Sequence, residues 1–155
     1  MKNKFLLIIL VLFLVAGCAT PMVASLEKHK NHYLPILNPH KGLIYLYRES
    51  SYVGSLRGLY VDIDGKRSGA LNSGTYFVYE ADPGERVIVV ENWLGKAPYR
   101  IVNVEAGKRY YVKAGIKAGL WDAVPYINIS DKEEGRRAIS DLVYATMKQK
   151  DLQKN

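Results

Sequence analysis

From Gly42 to Ser130 apolar and polar residues alternate in short runs broken by turn residues, the period of two that predicts β-strands. Leu43-Ile44-Tyr45-Leu46-Tyr47 is the first run, and a Ser/Gly-rich loop from Ser50 to Gly58 follows it. In Leu59-Tyr60-Val61-Asp62-Ile63 the odd positions share an apolar face and Tyr60 and Asp62 the other. Asp64-Gly65 comes next, a dipeptide favoured by the two-residue type I′ hairpin because both positions need φ > 0. Lys66 to Leu71 is then the returning strand. Asn72-Ser73-Gly74 marks a turn, Thr75 to Glu80 another strand, and Pro83-Gly84 suits the centre of a type II turn. Arg86 to Trp93 holds Val87-Ile88-Val89-Val90, apolar on both faces, which predicts a central strand. Tyr99 to Glu105 and Tyr110 to Ile116, joined by Ala106-Gly107-Lys108, read as a further pair, and Tyr126 to Ile129 closes the series. About seven or eight short strands with regular turn signals predict a mainly β fold, a small antiparallel β-sandwich over residues 42–130.

The pattern then changes period. Ser130-Asp131-Lys132-Glu133 matches a capping box, and Ile139, Leu142, Val143 and Met147 fall on one helical face. Residues 131–148 are therefore expected to form a C-terminal amphipathic helix packed on the sandwich or the tether, followed by a basic tail, 149–155.

At the other end, Lys2 and Lys4 precede an unbroken apolar run, Phe5 to Ala16, and then the small residues Gly17-Cys18-Ala19. That order is the layout of a secretory signal. The run is too short to span a bilayer, which takes roughly 20 apolar residues. Val15-Ala16-Gly17-Cys18 resembles the bacterial lipobox. The resemblance implies cleavage after Gly17, a diacylglycerol thioether on Cys18 and acylation of the new amine. Cys18 is the only cysteine of the chain. Without lipid it would be a free thiol or an intermolecular bridge, and no intramolecular disulfide can stabilise the fold. Two or more acyl chains give stable anchoring where one does not. Residues 1–17 are thus expected to be a lipoprotein signal peptide, and 18–41, interrupted by Pro21, Pro35 and Pro39, the lipidated N-terminus and a tether. Ala19 beside the cysteine, rather than Asp, favours outer-membrane sorting in the enteric pattern, with the domain facing the periplasm.

Composition narrows the partners. Removing Lys2 and Lys4 leaves 20 basic and 15 acidic side chains, a net charge of +5. The basic residues are dispersed, and several lie in the tail, so no nucleic-acid partner is expected. Twelve Tyr against three Phe suit half-buried strands, where a ring packs and its hydroxyl reaches water.

In sequence order, Leu43-Ile44-Tyr45-Leu46-Tyr47-Arg48, Tyr52-Val53-Gly54, Val61-Asp62-Ile63-Asp64-Gly65-Lys66, Gly74-Thr75-Tyr76-Phe77, Asp82-Pro83-Gly84-Glu85 and Ala106-Gly107-Lys108-Arg109-Tyr110-Tyr111-Val112 resemble the bacterial lipoprotein family catalogued as domain of unknown function 2846. The resemblance covers roughly residues 42–117. It implies an exported, lipid-anchored β-sandwich with no settled role and supplies no catalytic residues. The stretch from Val61 to Val90 is also similar to PEGA-type repeats, through shared turn chemistry.

Candidate chemistry is sparse. His29, His32 and His40 lie in the tether without fixed geometry, so no metal site is expected, and no cofactor. No histidine within residues 42–130 can activate a serine. Asp62 and Asp64 are close enough to act as a carboxylate pair, but their place beside a hairpin accounts for them as turn residues. No catalytic residue is assigned and no enzymatic activity is expected. The candidate contact region is the loop from Arg48 to Gly58, with Arg48, Tyr52 and Arg57 as partner-binding residues. The competing account is that Arg48 orients the loop through backbone carbonyls while Tyr52 covers the core. Two functions follow: a lipid-anchored, non-catalytic envelope module that binds a protein or glycan, or an enzyme or small-ligand carrier with an unrecognised site in the β-domain.

Overall fold

The computed structural model describes residues 22–23, 35–119 and 122–146. The signal segment, Cys18, His29, His32, Met147 and the basic tail lie outside the described residues. The elements in chain order are β1 (Met22–Val23), β2 (Gly42–Arg48), β3 (Leu59–Ile63), β4 (Lys66–Leu71), β5 (Thr75–Ala81), β6 (Gly84–Glu91), β7 (Tyr99–Val104), β8 (Arg109–Ala118), β9 (Ala123–Ser130), α1 (Lys132–Ser140) and β10 (Val143–Thr146). They build two facing sheets, β1-β10-β5-β2-β8-β9 and β4-β3-β6-β7. The expected sandwich is present, and it is mainly but not wholly antiparallel. β2 pairs in parallel with β8, and β10 in parallel with β5.

β2 organises the core. All seven of its residues are buried, because both of its faces are covered. Ile44, Leu46 and Arg48 face the second sheet, where Leu59, Val61, Ile63, Ile88 and Val90 are buried. The alternate positions Leu43, Tyr45 and Tyr47 face away from it. There the Tyr45 ring stacks on Tyr111, with centroids 5.0 Å apart, and Tyr76 meets Tyr144 edge-on at 5.6 Å. The Tyr47 hydroxyl and Ser130 Oγ are 2.7 Å apart; burial pushes the phenol's pKa up, and the Ser130 hydrogen bond only partly offsets this. α1 lies over this tyrosine layer, with Gly135 and Ile139 as its buried residues.

The hairpin at Asp64-Gly65 forms as expected, with φ of 51° and 75°. Asp64 also stitches the turn to β6: its amide donates to Val87 O, and its carboxylate accepts from Val87 N and from Arg86 Nη1, each at 2.9 Å. Those bonds, the backbone donor first, hold its pKa below the usual carboxylate value. β6 lies between β3 and β7, as a central strand should, but only Ile88 and Val90 are buried and Val87 is exposed.

Four expectations need correction. β7 and β8 do not pair: β7 ends in one sheet and β8 begins in the other, with the Ala106-Gly107-Lys108 turn crossing between them. Gly107 N donates to Lys41 O there, and Lys108 O accepts from Leu43 N, so the turn hydrogen-bonds to the start of β2 rather than closing a hairpin. The C-terminal helix stops at Ser140 instead of continuing to 148, because Val143 and Tyr144 extend the sheet beside Thr75 and Tyr76. Its cap is Asp131, whose side chain accepts from Glu134 N at 2.8 Å, one residue beyond the predicted Ser130. The span read as a tether also contains β1, which pairs with β10 through Met22↔Thr146 and Val23↔Ala145.

α1 can approach the tyrosine layer only because residue 135 lacks a side chain. A Cβ there would sit 2.2 Å from Tyr111 Cγ and 2.3 Å from its Cβ. Gly135→Ala should therefore destabilise the domain by about 1–3 kcal/mol despite alanine's higher helix propensity. Urea unfolding of the two proteins checks this; an equal or higher midpoint for the variant would contradict the packing described.

Candidate functional site

Among the described residues only Arg48, Thr75 and Asn92 are buried polar or charged side chains. Two of them each organise a loop at the same end of the sandwich.

Arg48 ends β2 on its inward face and is 1% exposed. Its guanidinium donates from Nη1 to Arg57 O and from Nη2 to Gly54 O, both at 2.8 Å, with longer 3.5 Å contacts to Leu71 O and Val53 O. Burial pushes its pKa down, but a guanidinium remains charged in a protein. The loop of residues 49–58 thus wraps its carbonyls around a cation. Two successive turns shape it, Ser55 N to Tyr52 O and Arg57 N to Gly54 O. Gly54, at φ 67°, lies so close to Ile116 that a Cβ would be 2.7 Å from Ile116 Cδ1. Ser51 and Ser73 exchange bonds, Ser51 N to Ser73 Oγ and Ser73 Oγ to Ser51 O, tying the loop to the β4–β5 turn.

Asn92 does the converse for the loop after β6. Its Oδ1 accepts from Leu94 N and Lys96 N at 3.0 Å, and its Nδ2 donates to Ala123 O at 3.1 Å. The loops meet where the Arg57 guanidinium carbon lies 5.8 Å from the Trp93 ring centroid, within cation–π range.

With their backbones fixed from inside, the loops present apolar side chains to solvent. Tyr52 is 96% exposed and Leu56 90%, and Trp93 and Leu94 are exposed beside them. Of the three residues expected to contact a partner, Tyr52 and Arg57 are on the surface, and Arg48 is underneath as the organiser of the loop. Tyr52 does not cover the core. Trp93 and Asn92 escaped the sequence reading, which ran a strand through Trp93, whereas β6 ends at Glu91. Asn92-Trp93-Leu94-Gly95, an Asn three residues before a Gly, was the available turn signal.

The base of the same loop is tied to α1 through Lys113, which lies 2.7 Å from Glu49 and 3.8 Å from Glu134. Burial opposes the Lys113 charge, but the Glu49 hydrogen bond and charge outweigh it and raise the pKa.

The two candidate carboxylates do not share a site. Asp62 pairs with Arg67 and Asp64 with Arg86. His40 is exposed, and among the described residues no three His, Cys, Asp or Glu side chains are grouped to hold a metal. One open cleft, of about 440 Å³, lies between the edges of β7 and β9, lined by Pro98, Arg100, Lys117, Tyr126 and Asn128 among others. Among the described residues no carboxylate lines it.

Two comparisons with known proteins bear on the chain. The model of a family described as "Protein of unknown function (DUF2846)" matches residues 38–140. An uncharacterized protein of Haemophilus influenzae is 31% identical over 137 residues, covering 87% of this chain and 80% of that protein.

If Arg48 shapes the loop, Arg48→Lys should fail to replace it, since an ammonium cannot span carbonyls held by a planar fork. Both Arg48→Lys and Arg48→Ala should cost about 2–4 kcal/mol and loosen the loop. Denaturant unfolding and amide exchange at Gly54–Arg57 provide the measurement. Full protection in Arg48→Lys would show that charge alone suffices.

Proposed function

The chain belongs to the DUF2846 family of proteins of unknown function, and from that premise we propose that it is a lipid-anchored, non-catalytic module of the bacterial envelope. In this reading residues 1–17 are removed, Cys18 carries the acyl chains, and the domain faces the periplasm from the outer membrane. The tip formed by Tyr52, Leu56, Arg57 and Trp93 binds an envelope protein. The observation that carries the binding role is the near-complete exposure of Tyr52 and Leu56 on a loop pinned by a buried arginine. A loop fixed in advance loses little entropy on association, and Tyr, Trp and Arg are the side chains enriched at interface hot spots. The lipobox-like Val15-Ala16-Gly17-Cys18 behind an apolar run supports the anchor.

Both parts can be measured in the host. The mature protein should begin at Cys18 and carry acyl mass, and Cys18→Ala should leave the membrane fraction or remain unprocessed; unchanged mass and fractionation would refute the anchor. Tyr52→Ala with Arg57→Ala should leave folding and anchoring intact and reduce cross-linking to an envelope protein by about tenfold or more, given that hot-spot truncations cost 2 kcal/mol or more. Persistent protein cross-links, or cross-links to glycan instead, would move the contact surface or change the partner.

The cleft supports a second reading, a carrier of a small anionic ligand, because Arg100 and Lys117 line it with Tyr126 and Asn128 and without an acid. Arg100 is already 3.3 Å from Asn128 Oδ1, so a ligand would compete with that bond. Titration with inorganic phosphate and with glucuronate, followed by amide shifts, should give saturable changes at Tyr126 and Asn128 that Arg100→Gln with Lys117→Gln abolishes. Flat titrations with both would remove this reading.

A further inference from the structure

The pairing of β1 with β10 bears on how the domain is held at the membrane. We infer that the domain rests directly on the bilayer in one orientation, with the Gly42 end of the sandwich toward the lipid and the Tyr52–Trp93 tip away from it. The inference rests on acylation of Cys18, as proposed above.

The covalent reach of the chain sets the distance. Were residues 18–41 a free leash, 24 residues would separate Cys18 from Gly42, a reach of about 80 Å at the extended limit of 3.3–3.6 Å per residue. Met22 and Val23, however, are strand residues, held opposite Thr146 and Ala145. The free length then shrinks to the four steps from Cys18 to Met22, about 14 Å at most. That is shorter than the sandwich itself, since the seven residues of β2 alone span about 20 Å.

Strand direction gives the orientation. Arg48 is opposite Thr75, and Gly42 is opposite Ala81. β10 runs parallel to β5 and starts at the Thr75 level. β1 is antiparallel to β10, so from Met22 to Val23 it runs toward the Arg48 end. The chain therefore enters β1 from the Gly42 side, and by this inference an acylated Cys18, four positions earlier, lies within about 14 Å of Met22 on that side. The exposed loop after Arg48 lies at the other end of the same buried strand.

The test uses the full acylated chain, purified from its host and inserted in a supported bilayer, with neutron reflectometry reading the protein profile along the membrane normal. Three proteins are compared: the native chain, Met22→Pro with Val23→Pro, and a chain with ten Gly/Ser residues inserted after Thr20. Proline removes the backbone donors that β1 can offer β10, while β2–β10 remain. The native protein should show protein density continuous with the headgroups. Both variants should open a hydrated layer, of about 15–20 Å for the insertion, the mean span of ten flexible residues. A hydrated layer in the native protein, or a double-proline profile identical to a continuous native one, would overturn the docked orientation. N-terminal mass is measured on the same samples. Acyl mass with a hydrated layer refutes this inference alone, and absence of acyl mass refutes the anchor and this inference together.

Discussion

A full positive charge is buried at the end of the central strand, and no carboxylate lies within ion-pair distance of it among the described residues. Backbone carbonyl dipoles solvate the Arg48 guanidinium instead. Moving an ion of this size out of water costs several kcal/mol even after relaxation, whereas each good bond to a charged donor returns about 1.5–3 kcal/mol. The cation is therefore tolerable only if the chain brings carbonyls to it. The loop of residues 49–58 does so, and its shape follows from that requirement: Gly54 takes a positive φ against Ile116, and its oxygen and that of Arg57 turn inward. A loop whose polar groups converge on the core has its side chains left for the outside, which is why Tyr52 and Leu56 are exposed.

β2 places Arg48 where this can happen, and it is itself held from two directions. One face meets the second sheet and the other meets the tyrosine layer under α1. Phenylalanine would bury similar rings, but Tyr47 also reaches Ser130 at the end of β9, immediately before the helix cap. Sheet, cap and helix are thereby linked through one hydroxyl. Lys113 adds a second link from the helix to the first residue of the loop. With its only cysteine at position 18, the domain has no disulfide, and these packing and polar contacts replace one.

The parts of the fold that were legible in the sequence are those set by local chemistry. Asp64-Gly65 demanded two positive φ values and obtained them. The parts that were not legible depend on distant partners. Ala106-Gly107-Lys108 has the composition of a hairpin turn, but only the free parallel edge of β2 explains why the chain crosses to the other sheet there. Leu142 and Val143 continue the helical spacing of Ile139, yet Val143 and Tyr144 gain more by extending the sheet at Thr75–Tyr76 than by another helical turn. The site shows the same division. Tyr52 and Arg57 stand in one conspicuous loop and are legible from it, whereas the choice of Arg48 between partner contact and its own loop's carbonyls depends on how that loop folds. Trp93 lies 36 positions beyond Arg57, and nothing local says that the two loops meet.

Asn92 fixes the second loop of the tip. An exposed aromatic on a mobile loop would lose its freedom on binding, which can cost about 0.5–1.5 kcal/mol for each side chain fixed, and more for backbone. Here two loops are each folded around one buried polar side chain: Arg48 as a donor to carbonyls, Asn92 as an acceptor from amides. Their side-chain requirements are opposite, so neither residue could serve in the other's place. Both are rooted in strands that belong to different sheets, β2 and the end of β6. The relative position of Tyr52, Arg57 and Trp93 is consequently fixed by the packing of one sheet on the other. A change that slid the sheets would shift Arg57 relative to Trp93, so the geometry of the tip depends on how the sandwich is packed.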